Sequence, residues 1–144
     1  MRHTFLLEEG TWEAAGDYFD ERQQASSWAG QVTISHSADR WRNEGTMKLQ
    51  DGPELELSNS YEITPFAAGS DFTEWVSRNP ALGTLRGVFF IVGDSILSKY
   101  ASETGEYSGC EYLRQLDEAT YENRGFAMKG QAKLSSWSVV LRRR

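Results

Sequence analysis

Between residues 40 and 64 the chain sorts apolar from polar side chains with a period of two, twice in succession. No other feature constrains the fold as tightly. In DRWRNEGTMKLQ, Trp41, Asn43, Gly45, Met47 and Leu49 share one face and Arg40, Arg42, Glu44, Thr46 and Lys48 the other. In ELELSNSYEITPF, Leu55, Leu57, Asn59, Tyr61 and Ile63 oppose Glu54, Glu56, Ser58, Ser60, Glu62 and Thr64. Successive side chains of a strand point to opposite faces, so each segment reads as a strand with one wet and one buried side. Asp51-Gly52 between them is a hairpin signal, with Pro53 leaving the turn type open. Adjacent strands that each bury one face indicate an antiparallel sheet.

The same period runs through most of the chain. In EEGTWEAAGDYFD, residues 8 to 20, Trp12, Ala14, Gly16 and Tyr18 fall together, and Trp28, Gly30, Val32, Ile34 and His36 follow in the next segment. Beyond the hairpin, TLRGVFFIV, SILSKYAS, YSGCEYLRQL, YENRGFAMKG and KLSSWSVVLRRR are separated by the turn sequences VGDS, SETGE and LDEAT. Residues 70–83 are ambiguous. Asp71 and Glu74 could cap a short helix carrying Phe72, Trp75 and Val76, but a strand looping through Asn79 to Gly83 into the next one is the preferred reading. The result is about ten short strands joined in sequence, in a chain with 12% aromatics, 13 glycines and only 3 prolines. So many consecutively turned strands leave exposed edges unless the sheet closes. Glycines at 30, 45, 87, 109 and 125 permit the bending that closure needs. The expected fold is all-β, an antiparallel up-and-down β-barrel of about eight to ten strands, formed as one domain over residues 1–144.

Charge and composition exclude several functions. The net charge of −6, from 15 basic and 21 acidic residues, would repel a phosphate backbone, so no nucleic acid is expected as partner. Cys110 is the only cysteine, which fits a reducing compartment. The start, MRHTFLLEEG, has an apolar run too short for a signal peptide, and no apolar stretch approaches the length of a membrane span. A cytoplasmic location is the expectation. A thiol nucleophile would need His3 or His36 beside Cys110, and no strand pairing brings them together. Two histidines and one cysteine without ligand spacing give no metal site, and no glycine-rich loop precedes a helix. No cofactor is expected.

Gly10-Thr11-Trp12 near the start, an antiparallel meander and a late arginine together resemble the calycin superfamily of lipocalins and fatty-acid-binding proteins, in its intracellular bacterial form. The resemblance covers nearly the whole chain in architecture and a few residues in motif. It implies that Gly10 and Trp12 plug one barrel end beneath a basic side chain from the last strand, with Arg142 the best match and Arg143 a rival. Some calycin-like barrels bind haem iron through a histidine, which draws attention to His36; the plain alternative is a strand-end histidine near solvent. The chain lacks the Thr-Asp-Tyr motif, the disulfide and the Arg-x-Tyr pair of the last strand, so the resemblance carries a fold and no substrate.

Function would then sit on the inner face. Asn59 and Tyr61 have unambiguous parity, and Trp41 and Asn43 lie on the adjoining strand; buried amides need partners, from the protein or a ligand. Arg114 with Tyr112, and Arg86 with Val88 and Phe90, would bring interior charge for an anionic ligand if their faces turn inward. For Arg114 the opposite face, Tyr107, Gly109, Glu111, Leu113 and Gln115, is as well balanced. The expected partner is a small hydrophobic or amphipathic molecule in the barrel, held by a carrier or sensor. The alternatives are an enzyme or ligand transferase on the same barrel, as in the bilin lyases that resemble this architecture, or an interaction module with a filled interior.

Overall fold

Every alternating segment forms a strand in the computed structural model, which describes residues 1–144. The ten strands are β1 (Gly10–Phe19), β2 (Ala25–His36), β3 (Trp41–Leu49), β4 (Glu56–Ile63), β5 (Phe72–Asn79), β6 (Gly83–Val92), β7 (Ser95–Ser102), β8 (Tyr107–Asp117), β9 (Thr120–Lys129) and β10 (Ala132–Arg143). Each pairs antiparallel with its sequence neighbour, and β10 returns to β1, with Trp12 opposite Arg143 and Phe19 opposite Ser136. The barrel is closed, leaving only the first part of β4 without a ladder partner on one side. The segment that could have been helix is β5, whose inward residues Thr73, Trp75 and Ser77 are all buried.

On part of the inner wall an inward aromatic faces a glycine on the neighbouring strand. Trp75 pairs with Gly87, Gly87 with Tyr100, Tyr100 with Gly109, and Gly125 with Trp137. A Cβ at position 87 would lie 2.4 Å from the Trp75 ring, and one at 109 would lie 2.3 Å from the Tyr100 hydroxyl. Each ring therefore lies across the wall in the notch that a missing side chain leaves.

One end is sealed. Residues ahead of β1 fold across it, putting Phe5 and Leu6 in the core with Trp12, Ile34, Ile63, Ile96, Tyr121 and Leu141. Phe5 and Tyr121 both pack on Trp12, at 5.3 and 5.5 Å between ring centroids. The His3 Nε2–H donates to the Gly93 carbonyl at 2.9 Å, which leaves Nδ1 to accept the Tyr121 hydroxyl proton at 2.7 Å. That hydroxyl in turn accepts from the Thr4 amide at 3.1 Å. The short apolar run Phe5-Leu6-Leu7 is thus part of the barrel's plug.

At the same end the basic residue over Trp12 is Arg143, its guanidinium carbon 5.8 Å from the ring centroid. Arg142, the best positional match, has the opposite parity and is exposed. Arg143 donates to Glu8 Oε1 at 2.8 Å and to the Glu9 carbonyl at 2.7 Å. Gly10 makes the arrangement fit, because a Cβ there would come within 3.1 Å of Arg143 Nε.

Candidate functional site

Many inward side chains are dry, both near the plug and beyond it, where Trp28, Met47, Trp75 and Leu85 are buried. Another set, Tyr18, Asn43, Asn59, Tyr61, Tyr100, Glu111, Asn123 and Trp137, also points inward yet is only half-buried. Their side chains stay partly accessible although they point into the barrel. At the rim of the end opposite the plug a recess of about 270 Å³ opens between Tyr18, Ser26, Trp28, Leu134 and Ser135. A larger groove of about 680 Å³ lies on the outer wall, over Ala15, Ala29, Gln31, Thr46 and Val140, and does not enter the barrel.

Of the residues expected to line the site, Asn43, Asn59 and Tyr61 share the inner wall, with Asn43 directly opposite Tyr61 and Gly45 opposite Asn59. Tyr61 meets the Trp75 ring edge-on at 4.9 Å. Neither Asn43 nor Asn59 is among the side chains whose buried polar atoms lack a partner. Trp41 faces inward too, but it stacks on His36 at 4.0 Å, next to Phe66, toward the plug. His36 Nε2 donates to the Leu6 carbonyl at 2.8 Å, which ties that ring to the plug as well.

The structure places Arg86, Tyr112 and Arg114 on the outer face. Arg86 pairs with Glu103 at 3.0 Å, and Arg114 with Asp94 at 3.2 Å and Glu122 at 3.4 Å. The Tyr112 hydroxyl accepts from Arg124 Nη1 at 3.3 Å. A guanidinium is dehydrated only at high cost, and carboxylates on adjoining turns and on β9 give these arginines partners in water. Cys110 has the same outward parity, opposite Lys99 and Phe126, so its thiol does not face the lumen. Leu55 and Leu57 are another departure. Their parity is inward, yet they are 51% and 45% exposed, because this end of β4 has no register with β5 and nothing covers it.

With β8 turned this way, Glu111 faces inward. Its Oε2 accepts from Asn123 Nδ2 at 3.2 Å, and the nearby Trp137 indole N–H favours the charged carboxylate. Trp137 is two strands away and reaches it because Gly125 lies between them; a Cβ there would be 2.6 Å from both Glu111 Cβ and Trp137 Cζ2. Burial pushes the Glu111 carboxyl up, and these two groups oppose the shift only in part. Three phenols feel its charge inside the barrel. Tyr18 is pushed up to about 12, by burial first and Glu111 second, and Tyr61 and Tyr100 are raised from the same causes.

Glu111, Asn123, Trp137, Tyr18 and Tyr100 are absent from the residues expected from sequence. One signal could have found them. Gly109 and Gly125 mark inward positions, since each sits opposite an aromatic, and Gly109 fixes Glu111 as inward by parity.

No protein-family profile matches the chain, and no curated protein matches it. Solved structures do resemble it. The S-type phycobiliprotein lyase CPES from Guillardia theta superposes with a TM-score of 0.71 at 7% identity, covering 96% of this chain and 89% of the other. Rv2717c from M. tuberculosis gives 0.64 at 18% identity, covering 94% and 91%. At such identities the likeness is one of fold, a ten-stranded calycin-like barrel.

Proposed function

We propose that the chain binds a small, mostly apolar ligand with a few polar handles inside its barrel. The observation that carries this reading is the half-buried set of inward polar and aromatic side chains above a dry, plugged base. A filled interaction module would pack such positions to the density of an ordinary core. Pockets of small-molecule binders combine apolar walls with a few placed polar groups, and here the walls are Trp28, Trp75 and Trp137 and the handles Asn43, Asn59, Tyr61 and Glu111.

The likeness to a phycobiliprotein lyase supports a tetrapyrrole-type ligand and a role in delivering it. With Cys110 on the outer face, such a role would rest on holding the ligand rather than on a covalent link to this chain's thiol. Native mass spectrometry of the purified protein, with titration by a tetrapyrrole and a panel of apolar probes, tests the reading. Binding should quench tryptophan emission and raise the melting temperature. If no compound in the panel changes either quantity, the barrel is a scaffold and the interaction module is the better account.

A further inference from the structure

An acid inside a barrel without a basic partner is a standing cost, and its chemistry limits what can bind beside it. The ion pairs of this protein involve Arg42, Arg86, Arg114, Arg124, Lys129, Arg143 and Arg144, and Glu111 takes part in none of them. The groups around it are neutral. Asn123 from β9 donates to it, the Trp137 indole from β10 lies nearby, Ser98 is its cross-strand neighbour on β7, and the phenols of Tyr18, Tyr61 and Tyr100 share its interior from β1, β4 and β7. Asn123 is itself anchored, donating to the Tyr112 carbonyl at 3.0 Å, so the carboxylate is held in one orientation. A carboxylate offers about four acceptor sites, and the bond from Asn123 leaves it with capacity to spare.

We propose that Glu111 is the recognition group of the lumen and that it selects a planar aromatic nitrogen base, held by a ring N–H or protonated ring nitrogen against the carboxylate. The inference rests on the lumen being a binding site and adds the class of molecule that fits it. Trp137 and Tyr18, whose rings stack at 6.1 Å between centroids, form an aromatic wall beside the carboxylate and suit a flat ligand. A fatty acid or other carboxylate is disfavoured, because like charges would be brought together with no arginine or lysine between them. This is the reverse of the anion site that an inward Arg86 or Arg114 would have made.

The test uses three probes of one shape: acridine, anthracene and anthracene-9-carboxylate, titrated against the full chain and Glu111→Gln while tryptophan quenching is followed. Acridine should bind the unmodified protein best and the carboxylate worst. A hydrogen bond to a charged group sets the scale, so Glu111→Gln should weaken acridine by about tenfold or more while leaving anthracene unchanged. The pH profile provides a second readout that needs no variant. Acridine affinity should be bell-shaped, because one proton must lie between the base and the acid, while anthracene affinity stays flat. Equal binding of acridine by both proteins, or a flat acridine profile beside good anthracene binding, overturns the role of Glu111 and leaves the lumen reading intact. Failure of all three probes to bind the unmodified protein overturns both.

Discussion

Gly10, Trp12 and Arg143 act as one unit. The indole is fully buried, the guanidinium covers it, and a side chain at position 10 would press on that guanidinium. The Trp12 Nε1–H is buried without a partner, so the ring is kept for its volume and its aromatic contacts rather than for a hydrogen bond. Removing it should open a cavity between Phe5, Tyr121 and Arg143, and Trp12→Ala is expected to cost about 3–5 kcal/mol in chemical denaturation. A loss below about 1 kcal/mol would show that the plug closes without it. The two C-terminal arginines separate the packing role from charge alone. Arg143→Met should destabilise clearly, whereas Arg142→Met, on an exposed side chain, should stay within about 0.5 kcal/mol of the parent.

Among the strands, β4 and β5 form the weak seam. Only Tyr61–Ile63 of β4 are in register with β5, opposite Trp75–Ser77, whereas β5 and β6 pair along their whole length. Glu56 to Ser60 therefore lack β-ladder partners on that side. A side-chain bond from Ser77 Oγ to the Ser60 carbonyl, at 2.7 Å, continues the contact. Local opening draws on regions with few buried contacts and exposed backbone. Hydrogen exchange should accordingly be fastest, outside turns and termini, at the amides of Glu56–Ser60, and slowest along β8, β9 and β10. Uniform protection around the barrel would contradict this. The same splaying exposes Leu55 and Leu57, which alternation alone assigns to the interior.

For the whole molecule, Glu111 links stability to pH. A carboxyl whose pKa is raised on folding holds its proton more tightly in the folded chain than in the unfolded one. Its contribution is fully present below the unfolded value, about 4.3, and is lost as pH rises through the folded value. Asp20 and Asp94 shift the other way, but both are exposed and their effect is screened. The comparison with Glu111→Gln isolates the interior acid. Melting temperatures of the two proteins should converge at acid pH and separate toward neutral pH, with the glutamine variant the more stable. Parallel curves across that range would mean that solvent in the lumen screens the charge.

Sequence by itself determined the strands, their order and the closed barrel, because period-two alternation and short turns are local properties and ten strands in a meander have few ways to hide their edges. It also marked Trp12 as the plug and put Asn43, Asn59 and Tyr61 on the inner face. Tertiary structure decided which arginine covers Trp12, that Phe5 and Leu6 seal the base, and that β8 turns Glu111 rather than Arg114 inward. The physical reason is the same each time. On β8 both faces carry a similar mixture of polar and apolar groups, so local hydropathy does not choose between them. The choice falls to long-range contacts: Tyr100 lying on Gly109, Trp137 reaching across Gly125, and carboxylates on an adjoining turn and on β9 holding Arg114 in water.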